Sequence, residues 1–233
     1  MEGDLENEID LDNAIKGCQF VIHCAGVVPS NKNRSEDDFM KIAGRGTEYL
    51  VRSAIHHKVK RLVVTSSIVT IYGNLFKWPD SVSYSESDRP PQPKDLDVYT
   101  KSKLYQEDTL RQVIGGIKEI EFVTLHPSFI LGPPLVCDPT SSLSAIGRFM
   151  HSVYPGYCPL YTGVVDVRDV AKAHLLALRA KGINRERIIL NQESMKFGEI
   201  IEIMHNNYGH RGYKVPTRRL PYWMVWLGSY LDE

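Results

Sequence analysis

The segment Arg61-Leu62-Val63-Val64-Thr65-Ser66-Ser67 is a short, mostly apolar run that ends in two serines. Runs of this length and composition are typical of a strand that is buried on both faces of a parallel sheet. Two similar runs flank it along the chain, Phe20-Val21-Ile22-His23-Cys24-Ala25-Gly26 and Glu121-Phe122-Val123-Thr124-Leu125-His126-Pro127. The three runs therefore predict three buried strands.

Segments with helical spacing separate these strands. One covers residues 39–57, another runs from about 98 to 113, and a short helix over 11–17 ends at Gly17. The later pattern predicts a helix around 146–153, a strand over 163–167, a helix over 169–180, a strand over 187–190 and a helix over 197–206. Strands that alternate with helices favour the α/β class, with a doubly wound parallel sheet.

The composition excludes several kinds of protein. The 28 Lys plus Arg residues equal the 28 Asp plus Glu residues, so no overall charge favours nucleic acid or an anionic membrane. The cysteines (Cys18, Cys24, Cys137 and Cys158) lack zinc-ligand spacing, so we expect reduced thiols and no metal. No apolar run approaches the roughly 20 residues of a membrane span, and the acidic start does not resemble a secretory leader. The predicted location is the cytoplasm.

Tyr99 and Lys103 provide the sharpest signal for chemistry. They are four residues apart at the start of a predicted helix, which places them on the same helical face. A nearby ammonium favours phenolate and lowers the pKa of a tyrosine. Such a tyrosine can exchange a proton with a carbonyl or alcohol oxygen near neutral pH. The same spacing also occurs in ordinary exposed pairs, which contribute about 0.5 kcal/mol.

Thr65, Ser66 and Ser67 end the middle strand at its carboxyl end. Open α/β sheets bind ligands at this edge. A serine hydroxyl there can hydrogen-bond the substrate oxygen while the tyrosine transfers the proton. Taken alone, two serines that cap a strand end are the plainer interpretation.

The order of these segments resembles extended short-chain dehydrogenases/reductases, and more narrowly the dihydroflavonol-4-reductase-like carbonyl reductases of the NAD-dependent epimerase/dehydratase family. Gly3-Asp4-Leu5 resembles the family's adenine-contacting segment, and Val21-Ile22-His23-Cys24-Ala25 the strand under the cofactor. His126-Pro127-Ser128 resembles the segment beside the nicotinamide. Val165-Asp166-Val167-Arg168-Asp169-Val170-Ala171-Lys172-Ala173-His174 and Arg211-Gly212-Tyr213-Lys214-Val215-Pro216-Thr217-Arg218 are similar to two further signatures of the group. Each match is weak alone, and their shared order supports the family.

The resemblance implies an oxidoreductase that reduces a ketone or aldehyde, or oxidises the alcohol, on a small-molecule substrate. Ser67 would orient the carbonyl, with Ser66 less favoured, Tyr99 would exchange the proton, and Lys103 would tune Tyr99 and bind the nicotinamide ribose. Hydride would come from a nicotinamide cofactor because no side chain can supply it. Family habit favours NADP, with NAD possible. The implied cofactor contacts are Asp4, Leu5, His23, Cys24, Ala25, Thr65, Ser66, Tyr99, Lys103, Pro127 and Ser128.

The resemblance also implies a domain organisation. Residues 1–133 correspond to a partial dinucleotide-binding (Rossmann) domain with the catalytic Ser, Tyr and Lys. Residues 134–233 correspond mainly to a small C-terminal substrate-binding lobe, and 163–180 return to the core fold. The match begins near the family's third strand, so we expect the chain to be truncated at the N-terminus and to lack the Gly-rich turn that holds the pyrophosphate. We also expect it to end before the family's sequences do.

Other functions stay open on the sequence. A 3-beta-hydroxysteroid dehydrogenase or a sugar-nucleotide epimerase/dehydratase would share the Ser, Tyr and Lys, and the loop over 135–160 would decide among them. A truncated, non-catalytic form is a further alternative. Ala43 stands where many relatives carry asparagine, which puts a water-mediated proton relay in doubt. A Pro-, Ser- and Asp-rich loop over 78–97 and an apolar helical face formed by Trp223, Trp226, Leu227 and Leu231 are also predicted.

Overall fold

A computed structural model describes residues 2–26, 35–73, 83–90, 96–136, 141–221 and 223–224. The helices in this part of the chain are α1 (Glu8–Ile15), α2 (Glu36–His56), α3 (Val69–Tyr72), α4 (Val98–Ile114), α5 (Ser141–Met150), α6 (Val167–Ala177) and α7 (Phe197–Tyr208). The strands are β1 (Phe20–His23), β2 (Arg61–Thr65), β3 (Glu121–Pro127), β4 (Phe129–Leu131), β5 (Tyr161–Asp166), β6 (Arg187–Leu190) and β7 (Glu193–Lys196). Much of the predicted loop over 78–97 lies outside the described residues, as do Trp226, Leu227 and Leu231.

Strands β1, β2, β3 and β6 form a parallel sheet in that order. The predicted α/β class with a parallel sheet is confirmed. Val64 pairs with His23 on one side and with Thr124 on the other, so the carboxyl ends of three strands lie at one edge. The prediction that β1 is a buried strand is wrong, because β1 is an end strand of this sheet and its Phe20 and Ile22 are each 37% exposed.

Helices cover both faces of this sheet. On one face, strand residues including Leu62 and Phe122 pack with Leu50 of α2 and Leu110 of α4. On the other face, strand residues including Val63, Val123 and Leu125 pack against Ala177 of α6. Because successive side chains of a strand point to opposite faces, a strand covered on both sides is apolar over most of its length. This explains why the central strands were visible as continuous apolar runs.

The local sequence sets the starts of α2 and α4. Ser35 caps α2, and its hydroxyl accepts from the Asp38 N–H while the Asp38 side chain accepts from the Ser35 N–H. Asp97 caps α4, with its Oδ1 accepting from the Thr100 N–H at 3.0 Å. The helix therefore begins at Val98, as predicted, and Tyr99 lies in its first turn. Gly44 leaves room for the Tyr105 ring, which lets α2 and α4 pack closely.

The chain divides into two compact units, Met1–Ser128 with Arg168–Leu190, and Phe129–Val167 with Asn191–Glu233. The sequence placed the first boundary at residue 133 and the returning segment at 163–180. In the second unit β5 lies between β4, to which it is parallel, and β7, to which it is antiparallel. The core of this unit consists of Phe149, Ile200, Ile201, Met204 and Val215.

Several element boundaries differ from the sequence prediction. The helix expected around 146–153 begins earlier, at Ser141, and ends at Met150. The sequence predicted none of α3, β4 and β7, which contain three or four residues each. Segments this short contain too few residues to show a hydrophobic period.

Candidate active site

The predicted catalytic residues meet at the carboxyl end of β2. Ser67 lies two residues beyond this strand, and its side chain is hydrogen-bonded to that of Tyr99 in the first turn of α4. Lys103 lies one turn further along α4 and is 7% exposed. The structure thus brings the three side chains to the edge at which ligands bind in open α/β sheets.

The Lys103 ammonium connects α4 to the sheet. Its Nζ donates to the Thr65 carbonyl at 3.0 Å and to Gln106 Oε1 at 3.3 Å. A Cβ atom at Gly26 would lie 3.0 Å from Nζ, so the absence of a side chain there lets the ammonium reach the end of β1. Two of the three ammonium hydrogens therefore have protein acceptors.

Burial dominates the electrostatics of Tyr99 and Lys103. It raises the pKa of Tyr99, and the Asp97 charge adds to this increase while the Ser67 hydrogen bond opposes it. Burial also lowers the pKa of Lys103 to about 8, against the opposing charges of Cys24 and Glu107. The expected lowering of the Tyr99 pKa is wrong for this structure, because the desolvation of the phenol outweighs the effects that favour phenolate. Tyr99 is therefore a neutral phenol near neutral pH.

A pocket beside Lys103 contains several of the residues predicted to contact the cofactor. Leu5, His23, Gly26 and Ala43 line it together with Lys103. His23 is 6% exposed, and burial followed by the Lys103 charge lowers its pKa to about 4. His23 is therefore an uncharged wall of this pocket near neutral pH.

The remaining predicted contacts lie in different settings. Pro127 is buried at the end of β3, and the next residue, Ser128, has a buried hydroxyl without a hydrogen-bond partner among the described residues. Asp4 and Ala25 are exposed and do not line the pocket, and an Asp4 carboxylate oxygen accepts from the Glu6 N–H at 3.0 Å. The orphaned Ser128 hydroxyl identifies a position at which a ligand could supply the missing partner.

The two serines after β2 have different partners. Ser66 donates from its hydroxyl to Glu107 Oε1 at 2.5 Å, inside the protein, whereas Ser67 is bonded to Tyr99. The proposed role in orienting a carbonyl therefore suits Ser67 better than Ser66. The Ser66 hydroxyl donates to Glu107 and its backbone N–H donates to the Leu125 carbonyl at 2.8 Å, so neither donor is left for the predicted cofactor contact.

A buried polar network behind Ser67 was not predicted from the sequence. Arg187 donates from Nε to Glu107 Oε2 at 3.1 Å and from a terminal nitrogen to the Thr70 carbonyl at 2.9 Å. His126 Nδ1 lies 2.9 Å from Thr70 Oγ1 and 3.2 Å from the Ser67 carbonyl. Burial lowers the pKa of His126 to about 4. The network holds the Ser67 backbone through its carbonyl group.

One sequence signal could have pointed to this network. Glu107 follows Lys103 by four residues, so both lie on the face of α4 that also presents Tyr99.

A second cluster, Asp12, His56 and His57, has the side chains to hold a metal ion at the C-terminal end of α2. There the Asp12 carboxylate and His57 Nε2 are hydrogen-bonded to each other at 2.8 Å.

The fold and this edge of the sheet define the class of protein. A parallel α/β sheet that brings Ser67, Tyr99 and Lys103 together is the arrangement that the resemblance to extended short-chain dehydrogenases/reductases implied. A family model described as the 3-beta hydroxysteroid dehydrogenase/isomerase family matches residues 1–193, and the chain belongs to that family. The predicted family resemblance is thereby confirmed. None of the helices described is both long and apolar enough to cross a membrane.

Individual relatives support the narrower resemblance. Cinnamoyl-CoA reductase 1 of Arabidopsis thaliana is 30% identical over 93% of this chain and 61% of its own length. A putative dihydroflavonol 4-reductase of Synechocystis is 28% identical over 99% of this chain and 65% of its own length. The solved structure of yeast methylglyoxal/isovaleraldehyde reductase with NADPH has a TM-score of 0.78 at 19% identity, covering 92% of this chain and 68% of that chain, which shows the fold alone. The chain spans 61% of the length of the Arabidopsis relative.

Proposed function

We propose that the protein is an NAD(P)-dependent oxidoreductase that reduces a ketone or aldehyde, or oxidises the corresponding alcohol, on a small or medium organic substrate. The observation that carries this proposal is the hydrogen-bonded pair of Ser67 and Tyr99 beside the buried Lys103. The likeness to cinnamoyl-CoA reductase and to a putative dihydroflavonol 4-reductase favours carbonyl reduction. The free thiols of Cys18, Cys24 and Cys158 favour a reducing compartment, so the cytoplasm is the proposed location.

The side chains divide the proposed chemistry among them. Tyr99 donates its phenolic proton to the substrate carbonyl oxygen, and the Ser67 hydroxyl donates a hydrogen bond to the same oxygen. The raised pKa of Tyr99, which burial causes, keeps this proton in place near neutral pH and so suits the direction of reduction. The Lys103 ammonium stabilises the phenolate that remains after the transfer. A bound nicotinamide cofactor supplies hydride to the carbonyl carbon.

The residues present fit the nicotinamide end of such a cofactor. The third Lys103 hydrogen has no acceptor among the described residues, where the Thr65 carbonyl and Gln106 Oε1 use the other two, so it can bind ribose hydroxyls. The orphaned Ser128 hydroxyl offers a polar contact beside Pro127. Leu5 and His23 line the pocket next to Lys103, while Asp4, Cys24, Ala25 and Thr65 remain proposed contacts. NADP remains the favoured cofactor, with NAD possible, and solved structures of the same fold carry NADPH in one case and NAD in another.

The direct test is titration of the purified chain with NADPH and with NADH, followed by nucleotide fluorescence and thermal shift. We expect saturable binding, tighter for NADPH, and NADPH-dependent reduction of probes such as methylglyoxal and isovaleraldehyde. Tyr99→Phe should lower kcat at least about 100-fold, because it removes the proton donor. Tyr105→Phe, at a position of the same helix that is 45% exposed, is the matched control and should keep the rate. A folded chain that binds neither nucleotide would overturn the proposal for this protein and favour a non-catalytic form.

The family description favours a second candidate, oxidation of a 3-beta-hydroxysteroid. This reaction would use the same side chains in reverse, with Tyr99 as the proton acceptor. Incubation with a 3-beta-hydroxysteroid and NAD⁺ distinguishes the two. Turnover of the steroid without turnover of the aldehydes would replace the first candidate, and a sugar-nucleotide substrate would make the protein an epimerase/dehydratase.

A further inference from the structure

Three side chains at the carboxyl ends of β1 and β2 form a chain of hydrogen bonds that the proposed proton transfer does not use. Thr65 Oγ1 lies 3.3 Å from Cys24 Sγ and 2.7 Å from His174 Nε2. Cys24 is exposed, whereas His174 is buried on α6. A thiol and an imidazole are thus joined through one hydroxyl, and the cysteine is an exposed residue.

The hydrogen bonds determine which atom can take the thiol proton. His174 Nδ1 lies 2.8 Å from the Val170 carbonyl, which can only accept, so Nδ1 carries a hydrogen. In the neutral ring Nε2 then has the free lone pair and accepts from Thr65. If Cys24 gives its proton to the Thr65 oxygen while Thr65 gives its own to Nε2, the result is a thiolate and an imidazolium joined by the hydroxyl. A nucleophile, a base and a group that orients the base are the parts of an activated cysteine site.

The surrounding charges favour the same ionised pair. The nearby His174 lowers the pKa of the Cys24 thiol against the opposing effect of burial, and the Thr65 hydrogen bond and the charges of His174 on α6 and Lys103 on α4 lower it further. For His174, burial alone lowers the pKa, but the interaction with Cys24 and the bond to the Val170 carbonyl outweigh it and raise the pKa. Reactive cysteines typically lie in partly exposed, electropositive surroundings of this kind.

We propose that Cys24 is a redox modification site that forms a mixed disulfide with a small anionic disulfide of the glutathione type. The Cys24 thiolate attacks one sulfur of the reagent, the reagent's S–S bond breaks, and the leaving thiolate takes the proton held by His174. The protein thiol is oxidised and one half of the reagent is reduced to a thiol, so no other oxidant is required. Lys103 and the His174 imidazolium favour a negatively charged reagent. If the proposed function holds, an adduct beside Lys103 would also hinder cofactor binding.

The test uses oxidised glutathione as the probe and mass spectrometry of proteolytic peptides as the readout. At pH 7 we expect Cys24 to be modified at least about fivefold faster than Cys18, a thiol of the same molecule whose sulfur contacts only the Ala14 carbonyl among the described residues. In denaturant the two rates should become equal. Modification of Cys24 no faster than Cys18 in the folded chain would overturn the proposal, and this comparison requires no variant.

Matched variants distinguish proton transfer from Cys24 through Thr65 to His174, here called the relay, from simple exposure of the sulfur. Thr65→Val and His174→Gln should bring the Cys24 rate to within about twofold of the Cys18 rate. Thr65→Ser keeps the hydroxyl and should keep the rate, as should Lys172→Gln, which removes a positive charge from an exposed position on the same helix as His174. Retention of the fast rate in His174→Gln and Thr65→Val would contradict the relay. Because the readout needs no cofactor and no turnover, its failure is distinguishable from failure of the proposed oxidoreductase activity.

Discussion

The two halves of α4 face the interior with opposite chemistry. In the first half the buried side chains are polar or charged: Thr100, Ser102, Lys103, Gln106 and Glu107. In the second half they are the apolar Leu110 and Ile114, which pack into the core on one face of the sheet. The apolar half is stabilised by the area that it removes from water, and this contribution does not depend on particular partners. The polar half is stable only if each group has a partner, because an unpaired buried charge is costly.

Among the substitutions in α4, removal of Glu107 should lower the free energy of unfolding the most. Its carboxylate is 1% exposed and pairs with Arg187, whose side chain is 10% exposed. Glu107→Ala would leave the guanidinium without its buried carboxylate and Ser66 without its acceptor. We expect the free energy of unfolding, from urea denaturation, to fall by about 4 kcal/mol.

The neighbouring carboxylate provides the control for Glu107. Asp108 pairs with Arg89 at 2.7 Å, but the two side chains are 55% and 45% exposed. Asp108→Ala should therefore cost about 0.5 kcal/mol. Equal losses of unfolding free energy in the two variants would show that the stability of the polar half of α4 does not depend on the pairing of its charges.

Shortening of an apolar side chain should have the next largest effect. Leu110 is fully buried in the core between α2, α4 and the sheet. Leu110→Ala should lower the free energy of unfolding by about 3 kcal/mol, through lost burial and the cavity left behind. The exposed Leu175 of α6 is the control, and Leu175→Ala should change stability by less than about 0.5 kcal/mol. A loss at Leu110 as small as that at Leu175 would place Leu110 outside the core.

The same difference explains what the sequence could predict. Continuous apolar runs predicted β2 and β3 because strands covered by helices on both faces exclude polar side chains over most of their length. The spacing of Tyr99 and Lys103 predicted their common face, and the order of motifs predicted the family. The pairing of Glu107 with Arg187, 80 positions away, could not be predicted. It depends on the alignment of β6 beside β3, and no local pattern selects one arginine from 28 basic residues.

The sequence also did not show how deeply Tyr99 and Lys103 are buried. The spacing of Tyr99 and Lys103 led to the expectation of a lowered tyrosine pKa, since a positive charge four residues away favours phenolate. The structure buries both groups, and desolvation acts against each charged form, so the pKa of Tyr99 rises and that of Lys103 falls. The sign of such a shift depends on how much water the fold removes, which neighbouring residues in the sequence do not specify.

The smallest expected effect is the pH dependence of activity. It concerns the polar half of α4 alone, because Lys103 lies there. Burial lowers the pKa of Lys103 to about 8, so its ammonium is present below pH 8 and is lost above it. Because the proposed mechanism requires this charge, kcat/KM for reduction should fall up to about tenfold for each pH unit above 8.

Over the same range the loss of the Lys103 charge should not lower the free energy of unfolding. Between pH 8 and its ordinary value of 10.5 the unfolded chain binds more protons than the folded chain, so the contribution of this group to the free energy of unfolding rises with pH. Lys103→Arg should keep its charge and remove the decline near pH 8, whatever its absolute rate. An unchanged decline in that variant would assign the titration to another group.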